Sequence, residues 1–434
     1  MKTLRLLLVD RPDARIASFG NASVSAGRFV AQAEHIAKEM PRAAHVINLA
    51  ENRYHFLLGW AAACLREQVT LLPSARTDDA LAQLRREYPD HHTIDDASIG
   101  ALCSRVATTS EAFPADWPAR WQLPADRIVA IAFTSGSTGE PTPHSKTWGS
   151  LFHNSRLAAF EVLGGKNRSV VSTVPPQHMY GLEASLMSAL TAESFLFDER
   201  PFYPADVRRA LEAIPAPRVL VTTPAHLKVL AEADIEMPLL DRVVSATAPL
   251  SVDLALRIET AWNTQVMEIY GCTEAGVMAH RRSAQSERWR TFEGGTMSTA
   301  SGVAEYTAPQ LAGPVPLQDD LELHSATEFE LRGRSTDMIK VAGKRGSLLD
   351  LTRQILAIPG VRDAAVFLPD NDARPAAAVV APGLSAADIL RELRQHVDGV
   401  FVPRPLVIVD ALPRNSLGKL PRETLLQLLA KART

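Results

Sequence analysis

Between residue 127 and about residue 280, short apolar runs rich in β-branched residues alternate with longer stretches of helical periodicity. The first pattern is typical of buried strands, and the second is typical of helices that cover a sheet. The apolar runs are residues 128–133, 170–174, 194–197, 218–222, 242–245 and 265–269. The helical stretches are residues 147–163, 182–192, 205–214, 225–233 and 252–262. Since such strands are joined by right-handed crossovers, the pattern predicts an α/β fold with a parallel sheet.

The flanking regions have weaker patterns. Residues 2–10 predict a first strand, and residues 29–40 and 53–65 predict helices. Nearer the other end, residues 364–368, 376–380 and 406–409 predict strands, and residues 351–357 and 386–397 predict helices. We therefore expect a large α/β domain and a small α+β domain. His91 and His92 have no third ligand at a metal-like spacing, so we interpret them as a solvated turn.

Five of the six predicted strands of the central region are each followed by a polar or glycine-containing segment. These segments are residues 134–139, 175–181, 223–224, 246–250 and 270–274. Ligands of parallel sheets bind beyond the carboxyl ends of the strands. We therefore expect the segments to form one site at one edge of one sheet.

The segment TSGSTGEP, residues 134–141, combines two glycines with four hydroxyl residues directly after a predicted strand. Glycine allows tight turns, and successive backbone N–H groups together with hydroxyls form a concavity that binds anions. A surface linker is the alternative for so short a stretch. The segment is not a Walker loop, because no Gly-Lys-Ser/Thr follows its second glycine. The strand in front of it favours a phosphate-binding loop.

Composition excludes several classes of protein. A formal net charge of −3 gives no reason to expect a nucleic-acid partner. The three cysteines, Cys64, Cys103 and Cys272, lack metal-type spacing, which predicts a reducing compartment and no disulfides. No apolar run approaches the length of a membrane span, and the first residues do not have the pattern of a signal peptide. We expect a cytoplasmic protein without a membrane partner.

The segment YGCTE, residues 270–274, offers an aromatic face for a base and a glycine for close approach of a ligand. Its hydroxyl and carboxylate suit a hydrated magnesium ion, for which one protein carboxylate is sufficient. Further candidates are Asp319-Asp320, residues 330–334, residues 337–340 and the lysine within residues 413–422. Each of these alone would be interpreted as a surface turn.

Together these segments resemble the adenylate-forming superfamily of acyl-CoA and aryl-CoA synthetases, luciferases and peptide-synthetase adenylation domains. Five motifs match in order and approximate spacing: residues 134–141, 175–181, 270–274, 333–343 and 413–422. The resemblance covers residues 127 to 422. Within the superfamily, the chain is similar to the compact ligases of aryl-polyene and xanthomonadin-type pigment biosynthesis, which load an aromatic acid onto an acyl carrier protein.

The resemblance implies a role for each matching residue. The β- and γ-phosphates of ATP would be held by Thr134, Ser135, Gly136, Ser137, Thr138 and Gly139. Tyr270 and Gly271 would bind adenine, Thr273 the α-phosphate, Glu274 Mg²⁺, and Asp320 and Arg334 the ribose. Lys419 would reach the α-phosphate and the acyl carboxylate, where negative charge develops, so the catalytic residues would be Lys419, Glu274 and Thr273.

The acyl pocket implied by the resemblance is bordered by His178, Tyr180, Glu183, Ser245, Ala246, Thr247 and Cys272. A histidine on a loop is by itself more often structural than catalytic. In this pocket, however, the planar polarity of His178 suits an aromatic acid of the hydroxybenzoate type. A long fatty acid would instead require an extended apolar tunnel.

Three departures from the family pattern stand out. Thr142 occupies the place of a phosphate-loop lysine, whose charge either Lys146 or His144 would replace. Asp319-Asp320 stands where the family has Gly-Asp, which leaves the choice of ribose ligand open between the two. Thr336 stands where an acidic or lysine hinge residue is usual.

The implied domains are residues 1–333, with the ATP and acyl sites, a hinge at residues 334–336 and a mobile domain at residues 337–434. Carboxylate and ATP would give an acyl-adenylate and pyrophosphate. The mobile domain would then withdraw Lys419 and present residues 340–346 to the pantetheine thiol of a carrier protein or CoA. The alternatives are a fatty-acyl or other carboxylate ligase, transfer to an amine or oxygen chemistry, and a binding protein without turnover.

Overall fold

The computed structural model describes residues 2–106, 112–114, 116–135, 141–233, 235–300, 302–334, 338–341, 344–369, 374–414, 420 and 422–431. The chain forms two compact units. The large unit comprises Met1–Gly295 with Ala308–Gly313, and the small unit comprises Thr296–Thr307 with Pro314–Thr434. These units are defined by compactness and not by motion, and residues 335–337 lie outside the described residues. The hinge at Thr336 and the domain boundaries at 333 and 337 therefore stay predictions.

The strands, in chain order, are β1 (Thr3–Arg5), β2 (Arg15–Phe19), β3 (Ala22–Ser25), β4 (His45–Asn48), β5 (Val69–Leu72), β6 (His91–Ile94), β7 (Gln122–Pro124), β8 (Ile128–Ser135), β9 (Pro141–Thr147), β10 (Ser169–Ser172), β11 (Phe195–Leu196), β12 (Arg218–Thr222), β13 (Arg242–Ser245), β14 (Gln265–Cys272), β15 (Gly276–Arg281), β16 (Trp289–Thr291), β17 (Thr296–Ala300), β18 (Val303–Thr307), β19 (Val315–Pro316), β20 (Asp319–Leu323), β21 (Glu328–Arg334), β22 (Met338–Val341), β23 (Lys344–Ser347), β24 (Asp363–Phe367), β25 (Ala376–Val380) and β26 (Leu406–Ile408).

The α-helices follow the same order. They are α1 (Ala26–Glu39), α2 (Arg53–Leu65), α3 (Asp78–Glu87), α4 (Asp96–Cys103), α5 (Trp148–Leu157), α6 (Met179–Gly181), α7 (Ser188–Thr191), α8 (Pro204–Ala213), α9 (Pro224–Glu232), α10 (Val252–Trp262), α11 (Leu348–Leu356), α12 (Ala386–His396) and α13 (Arg422–Lys431). A 3₁₀ turn occupies Ala119–Trp121, and π-helical segments occupy Ala158–Val162 and Leu182–Leu186.

The main sheet of the large unit has the strand order β16-β15-β14-β13-β12-β10-β11-β2-β3. From β14 to β2 all neighbouring strands are parallel, as the alternating pattern predicts. Helices α8, α9 and α10 pack on one face, where their apolar stripes join the core around Leu220 and Val243. The opposite face packs against α5 and its π-helical extension around Val221 and Val244. Burial on both faces explains why these strands are almost continuously apolar.

A second sheet, with the order β6-β4-β5-β8-β9, corrects the expectation of one sheet. The strand before the phosphate-loop motif, β8, is parallel to β5 and antiparallel to β9, and it does not join the strands that carry the other motifs. An apolar run predicts a strand but not its neighbour, which tertiary packing decides. The partners β4, β5 and β6 come from residues 45–94, where the sequence pattern predicts no strand.

The interpretation of His91 and His92 as a solvated turn was wrong. Both residues lie in β6, which is parallel to β4 at the edge of the second sheet, and both side chains are partly buried. His91 Nδ1 lies 2.6 Å from the carbonyl oxygen of Tyr88, and His92 Nε2 lies 3.2 Å from Gln68 Oε1. Within the described residues, no group of three or more His, Cys, Asp or Glu side chains has metal-site geometry.

Several predicted elements coincide with the structure, including α2, α10, β12, β13 and β25. Helix α2 is apolar all round and buried along its length, which is typical of a helix enclosed by other elements. The first strand is shorter than predicted, because β1 ends at Arg5. Among the described residues, no helix is both long enough and apolar enough to cross a membrane.

The predicted helix over residues 182–192 is interrupted. It follows α6 directly and consists of the π-helical segment Leu182–Leu186 and α7. Three hydroxyls in this stretch bond to carbonyls three or four residues earlier: Ser185 to Gly181, Ser188 to Ser185, and Thr191 to Met187. Such side-chain bonds compete with the helical ladder and bend helices. Helical periodicity alone does not distinguish this geometry from a straight helix.

The small unit contains the predicted α+β core. Strands β24 and β25 pair antiparallel and β25 and β26 pair parallel, while α11 and α12 bury their apolar faces around Ile355 and Ile389. A hairpin of β22 and β23, a three-stranded sheet of β17, β18 and β19, and the antiparallel pair β20–β21 complete it. These elements support the predicted small α+β fold.

Candidate active site

A cluster of three side chains joins the ends of the two sheets within the large unit. Nε2 of His144, on β9, lies 2.9 Å from Oγ1 of Thr134, on β8. The same nitrogen lies 3.6 Å from Oε1 of Glu274, in the turn after β14. Two of the predicted ATP-site motifs therefore meet, although they belong to different sheets.

The register of β8 against β9 explains which side chains face this cluster. Thr134 pairs with Thr142, Ala132 with His144, and Ala130 with Lys146. Because side chains two residues apart share a face of a strand, Thr142, His144 and Lys146 all lie on one face of β9. Thr142 is exposed, His144 is partly buried and Lys146 is buried.

Lys146 supports the backbone of the Tyr270–Glu274 segment. Its side chain is only 4% exposed, and its Nζ donates a hydrogen bond of 2.8 Å to the carbonyl oxygen of Glu274. Burial lowers the pKa of Lys146, and the nearby carboxylate of Glu183 opposes that shift. The amine thus fixes the main chain that carries the Glu274 carboxylate.

The Tyr270–Glu274 segment is a continuation of β14 and not only a loop. Strand β14 runs through Cys272 and pairs with β15, with an irregularity between Tyr270 and Gly271. A Cβ atom at position 271 would lie 2.4 Å from the carbonyl oxygen of Gly276, so this approach of two backbones requires glycine. The ring of Tyr270 is partly exposed and lies 5.7 Å from the ring of Trp289, centroid to centroid.

Glu274 ends this segment with an accessible carboxylate. Its side chain is 44% exposed, which leaves room for a ligand next to Thr134 and His144. Burial lowers the pKa of His144, with Glu274 opposing the shift and Lys146 adding to it. An accessible carboxylate oxygen suits a hydrated Mg²⁺ ion, and a neighbouring hydroxyl can donate a hydrogen bond to a triphosphate oxygen. The described residues therefore fit the predicted ATP and Mg²⁺.

Glu183 was predicted to border the acyl pocket, but its carboxylate is engaged behind the Tyr270–Glu274 turn. Its oxygens accept hydrogen bonds from Nδ2 of Asn154 at 3.0 Å and from the backbone N–H of Val277 at 2.9 Å. Asn154 also donates to the carbonyl oxygen of Ala275 at 3.0 Å. Burial raises the pKa of Glu183 to about 7, while these donors and Lys146 oppose the rise. The network therefore holds the end of the turn and the start of β15.

Tyr180 lies in the core, and its hydroxyl is engaged by main-chain carbonyls. The phenol oxygen lies 3.0 Å from the carbonyl oxygen of Thr222 and 2.9 Å from that of Val244, at the carboxyl ends of β12 and β13. The ring packs against the apolar face that includes Ala246. Burial raises the pKa of this phenol well above its usual value, so it is a neutral donor.

Tyr180→Phe is expected to destabilise the enzyme by about 1 kcal/mol, because two buried carbonyls share a single donor that phenylalanine lacks. The midpoint of urea unfolding measures this change. We expect ATP–pyrophosphate exchange at saturating acid to stay within about twofold of wild type, since one interior hydrogen bond is lost and no substrate contact. Unchanged stability together with lost exchange would instead indicate that the phenol contacts the acid in the acyl pocket.

The predicted segment Ser245–Thr247 divides between the two faces of the main sheet. Ala246 faces the core that contains Tyr180, so Ser245, its neighbour along the chain, faces α9 and α10 instead. The hydroxyl of Ser245 has no hydrogen-bond partner among the described residues. Thr247 has a φ of 81°, which is strained for a β-branched residue. Ser245 therefore does not share a face with Tyr180, and the pocket roles of Ala246 and Thr247 stay predictions.

Cys272 and His178 complete the predicted pocket residues. The Cys272 sulfur lies 3.4 Å from the backbone nitrogen of Ala275, and burial raises the pKa of its thiol to about 12. It is therefore a neutral thiol and not a nucleophile. His178 is the partly buried N-cap residue of α6, in the loop after β10. Next to it, Gln177 accepts a hydrogen bond of 3.2 Å from Arg76.

Arg53 supports this loop from beneath, although its position in an apolar helix gave no sign of such a role. It is fully buried at the start of α2, and it donates to the carbonyl oxygen of Val174 at 2.8 Å and to the hydroxyl of Ser185. Burial lowers its pKa to about 9. Asn154 was missed as well, because an asparagine within a helix is not distinctive in sequence.

The predicted ribose ligands lie in the small unit. In the antiparallel pair β20–β21, Asp319 is opposite Arg334 and Asp320 is opposite Gly333, with an irregularity after Asp320. Asp320 is exposed and Asp319 is partly buried. Asp320 is thus the more accessible of the two carboxylates, and its role in ribose binding stays a prediction.

Several predicted residues lie outside the described part of the chain: Gly136, Ser137, Thr138, Gly139, Thr336 and Lys419. Of Ser135 and Arg334, only the backbone is described. Thr273 is partly buried in the turn between β14 and β15. The structure brings Thr134 and Glu274 together around His144, and Tyr270, Gly271 and Thr273 lie in the segment that ends at Glu274. The roles of all these residues stay predictions.

Family comparison agrees with this geometry. The model of the AMP-binding enzyme family matches residues 10–300, and that of the AMP-binding enzyme C-terminal domain matches residues 353–419. The chain belongs to the AMP-binding enzyme family. The superfamily resemblance of the five motifs is thereby confirmed, and so is its class of reaction: this AMP-binding enzyme is an AMP-forming acid–thiol ligase of an ATP-dependent family.

Characterised relatives of this AMP-binding enzyme act on several acids. A 4-coumarate–CoA ligase from Halorhodospira halophila is 29% identical over 299 residues, which are 66% of this chain and 73% of the relative. A benzoate–CoA ligase from Thauera aromatica is 29% identical over 374 residues, 75% of this chain and 70% of the relative. A 3,4-dihydroxybenzoate–[aryl-carrier protein] ligase from Bacillus anthracis is 21% identical over 310 residues, 69% and 74% of the two chains.

Solved structures share the fold of this AMP-binding enzyme. ATP-bound MatB from Rhodopseudomonas palustris superposes with a TM-score of 0.80 at 19% identity, covering 97% of this chain and 96% of MatB. The O-succinylbenzoate coenzyme A synthetase MenE from Bacillus subtilis, in complex with ATP and a magnesium ion, gives a TM-score of 0.79 at 18% identity, covering 97% and 99%. At these identities the likeness establishes the fold, a large α/β domain with a smaller C-terminal domain.

Proposed function

We propose that this enzyme activates an aromatic carboxylic acid of the hydroxybenzoate type and transfers it to a pantetheine thiol. A carboxylate oxygen attacks the α-phosphorus of ATP, the bond to the β-phosphate breaks, and pyrophosphate leaves with its electron pair. The thiol sulfur then attacks the acyl carbon of the adenylate, AMP leaves, and the thiol proton passes to water. The observation that carries the proposal is the meeting of Thr134, His144 and Glu274.

Several of the motifs would bind the nucleotide, as the family resemblance implies. Thr134 and the backbone of residues 135–139 would hold the β- and γ-phosphates, and Tyr270 would stack on adenine above Gly271. Asp320 and Arg334 would bind the ribose hydroxyls. When bound at Glu274, Mg²⁺ would neutralise charge on the phosphate oxygens. Lys146 and Glu183 would keep Glu274 in place by fixing the main chain around it.

The residues at the proposed acyl pocket support a compact acid. Tyr180 fills the space between the carboxyl ends of β12 and β13, and its hydroxyl is engaged there. The planar polarity of His178, at the start of α6, would suit an aromatic acid. The names of the relatives, which act on coumarate, benzoate and dihydroxybenzoate, support the same class of substrate.

The acceptor would be a carrier protein or CoA. One relative uses an aryl-carrier protein, and others use CoA. We favour the carrier protein, because the sequence resembles the compact pigment-pathway ligases that load one. Rotation of the predicted mobile domain, residues 337–434, about Thr336 would withdraw Lys419 after adenylation and admit the thiol, as the family resemblance implies.

Mass spectrometry of the products tests this proposal. Hydroxybenzoates, cinnamates and long-chain saturated fatty acids are each incubated with ATP, Mg²⁺ and either CoA or a carrier protein bearing pantetheine. We expect an aryl thioester from a hydroxybenzoate together with AMP. Faster thioester formation from fatty acids than from benzoates would overturn the substrate class. A product formed without any thiol would indicate transfer to an amine or to oxygen chemistry. No product, with ATP still bound, would favour a protein that has lost turnover.

A further inference from the structure

Strands β8 and β9 flank the predicted phosphate-binding loop, and Thr142 on β9 occupies the place where the family motif has a lysine. Thr142, His144 and Lys146 share one face of β9, opposite Thr134, Ala132 and Ala130 of β8. Thr142 is exposed and cannot supply a charge. The other two side chains on this face, His144 and Lys146, are the candidates to replace the charge of the missing lysine.

Lys146 is unsuited to contact a phosphate. Its amine is buried and donates to the carbonyl oxygen of Glu274 at 2.8 Å. Turning the amine toward a triphosphate would leave that buried carbonyl without its donor, which costs free energy. The buried carboxylate of Glu183 also acts on the amine by its charge and favours its present position. Lys146 is therefore a support of the Glu274 main chain.

His144, unlike Lys146, contacts side chains of the proposed ATP site. It is 16% exposed, and its Nε2 contacts two groups of the proposed ATP site: Oγ1 of Thr134 at 2.9 Å and Oε1 of Glu274 at 3.6 Å. A carboxylate this close favours the form in which Nε2 carries hydrogen, in the neutral and in the charged ring alike. The Nε2–H group then donates to the Thr134 oxygen. The proton of that hydroxyl is left for another acceptor.

We propose that His144 is a positioning residue for the triphosphate of ATP, an inference that rests on the proposed function. Its Nε2–H group orients the Thr134 hydroxyl so that the threonine proton points to a phosphate oxygen. The same ring lies against the Glu274 carboxylate, with 3.6 Å between Nε2 and Oε1, at the place proposed for Mg²⁺. One side chain on β9 thus couples the phosphate loop of one sheet to the metal ligand of the other.

Calorimetric titration of MgATP, without any acid, tests this role. His144→Leu removes the donor, and we expect the Kd for MgATP to rise about tenfold, equivalent to about 1.4 kcal/mol. His144→Gln keeps an N–H group of similar reach, and we expect its Kd within about threefold of wild type. His153→Leu is the matched control, because His153 is also a partly buried histidine but lies near Lys2. Its Kd should equal that of wild type.

A purely structural histidine would give a different result. His144→Leu and His144→Gln would then lower the melting temperature without changing the Kd for MgATP, and that outcome would overturn the proposal. In turnover, positioning predicts a higher KM for ATP and an unchanged KM for the acid. If wild type binds MgATP but activates no acid, the proposed function fails while the binding test of His144 still stands. If wild type binds no MgATP, both fail.

Discussion

Lys419→Ala is expected to slow adenylation by at least ~10²-fold, the usual scale for removing one charged contact to a transition state. Negative charge develops at the α-phosphate when the carboxylate attacks, and the sequence resemblance assigns Lys419 to that place. Substrate-dependent ATP–pyrophosphate exchange measures the step directly. The Kd for MgATP should change by less than about threefold, because the contact strengthens mainly in the transition state.

The control for this variant is Lys431→Ala, which removes an exposed lysine from helix α13 of the same unit. Its exchange rate should equal that of wild type. Thioester formation from chemically supplied aryl-adenylate should also be nearly normal in Lys419→Ala, because the second half-reaction would not use this lysine. Near-normal pyrophosphate exchange in Lys419→Ala would refute the assignment.

Glu274→Gln is expected to lower pyrophosphate exchange by ~10² to 10³-fold at a fixed, moderate Mg²⁺ concentration. The amide keeps the size of the side chain and an oxygen ligand, but it lacks the charge that holds a divalent cation. The structure leaves this carboxylate accessible while Lys146 fixes the main chain of the same residue. The change should therefore act on metal and nucleotide binding and not on folding.

A series of Mg²⁺ concentrations separates these effects. The exchange rate of Glu274→Gln should recover partly as Mg²⁺ rises, and its melting temperature should stay close to that of wild type. Glu287→Gln, at an exposed position of the same unit, is the matched control. A loss of exchange that is independent of Mg²⁺, or no loss at all, would contradict a metal-ligand role for Glu274.

The elements with strong local signals could be predicted from the sequence. Helix α10 begins after Ser251, whose side chain accepts a hydrogen bond from the Leu254 N–H, and it ends at Asn263 in the left-handed conformation. Both are local termination signals that a sequence displays. Helix α2 likewise begins after a capping residue, Asn52. Strands β12 and β13 are recognisable by their β-branched residues.

Long-range pairing could not be predicted. The run 128–133 predicted a strand correctly, but its neighbour β5 lies about sixty residues earlier in a region without a distinct pattern. Sheet membership depends on packing between distant segments, which periodicity within one segment does not report. The candidate active site consequently lies where two sheets meet, and Thr134 and Glu274 approach His144 from different sheets.

The motifs were a better guide to which residues lie near the site than to the role of each side chain. Thr134 and Glu274 come together as expected. Tyr180 lies in the motif at residues 175–181 and Glu183 just after it, yet their polar atoms are engaged by β12, β13 and β15. Whether a polar group faces a ligand or a backbone partner depends on its burial and rotamer, and neither can be inferred from spacing. His144 was one of two candidates in the sequence, and only its contacts distinguish it from Lys146.

Substrate-dependent ATP–pyrophosphate exchange across hydroxybenzoates, cinnamates and fatty acids, without any thiol, tests the central claim most directly. We predict exchange with at least one hydroxybenzoate and none, or much less, with saturated fatty acids. That result would establish adenylation of an aromatic acid and leave only the acceptor to be identified. No exchange with any acid, from enzyme that binds MgATP, would contradict the proposed activity and direct attention to Thr142.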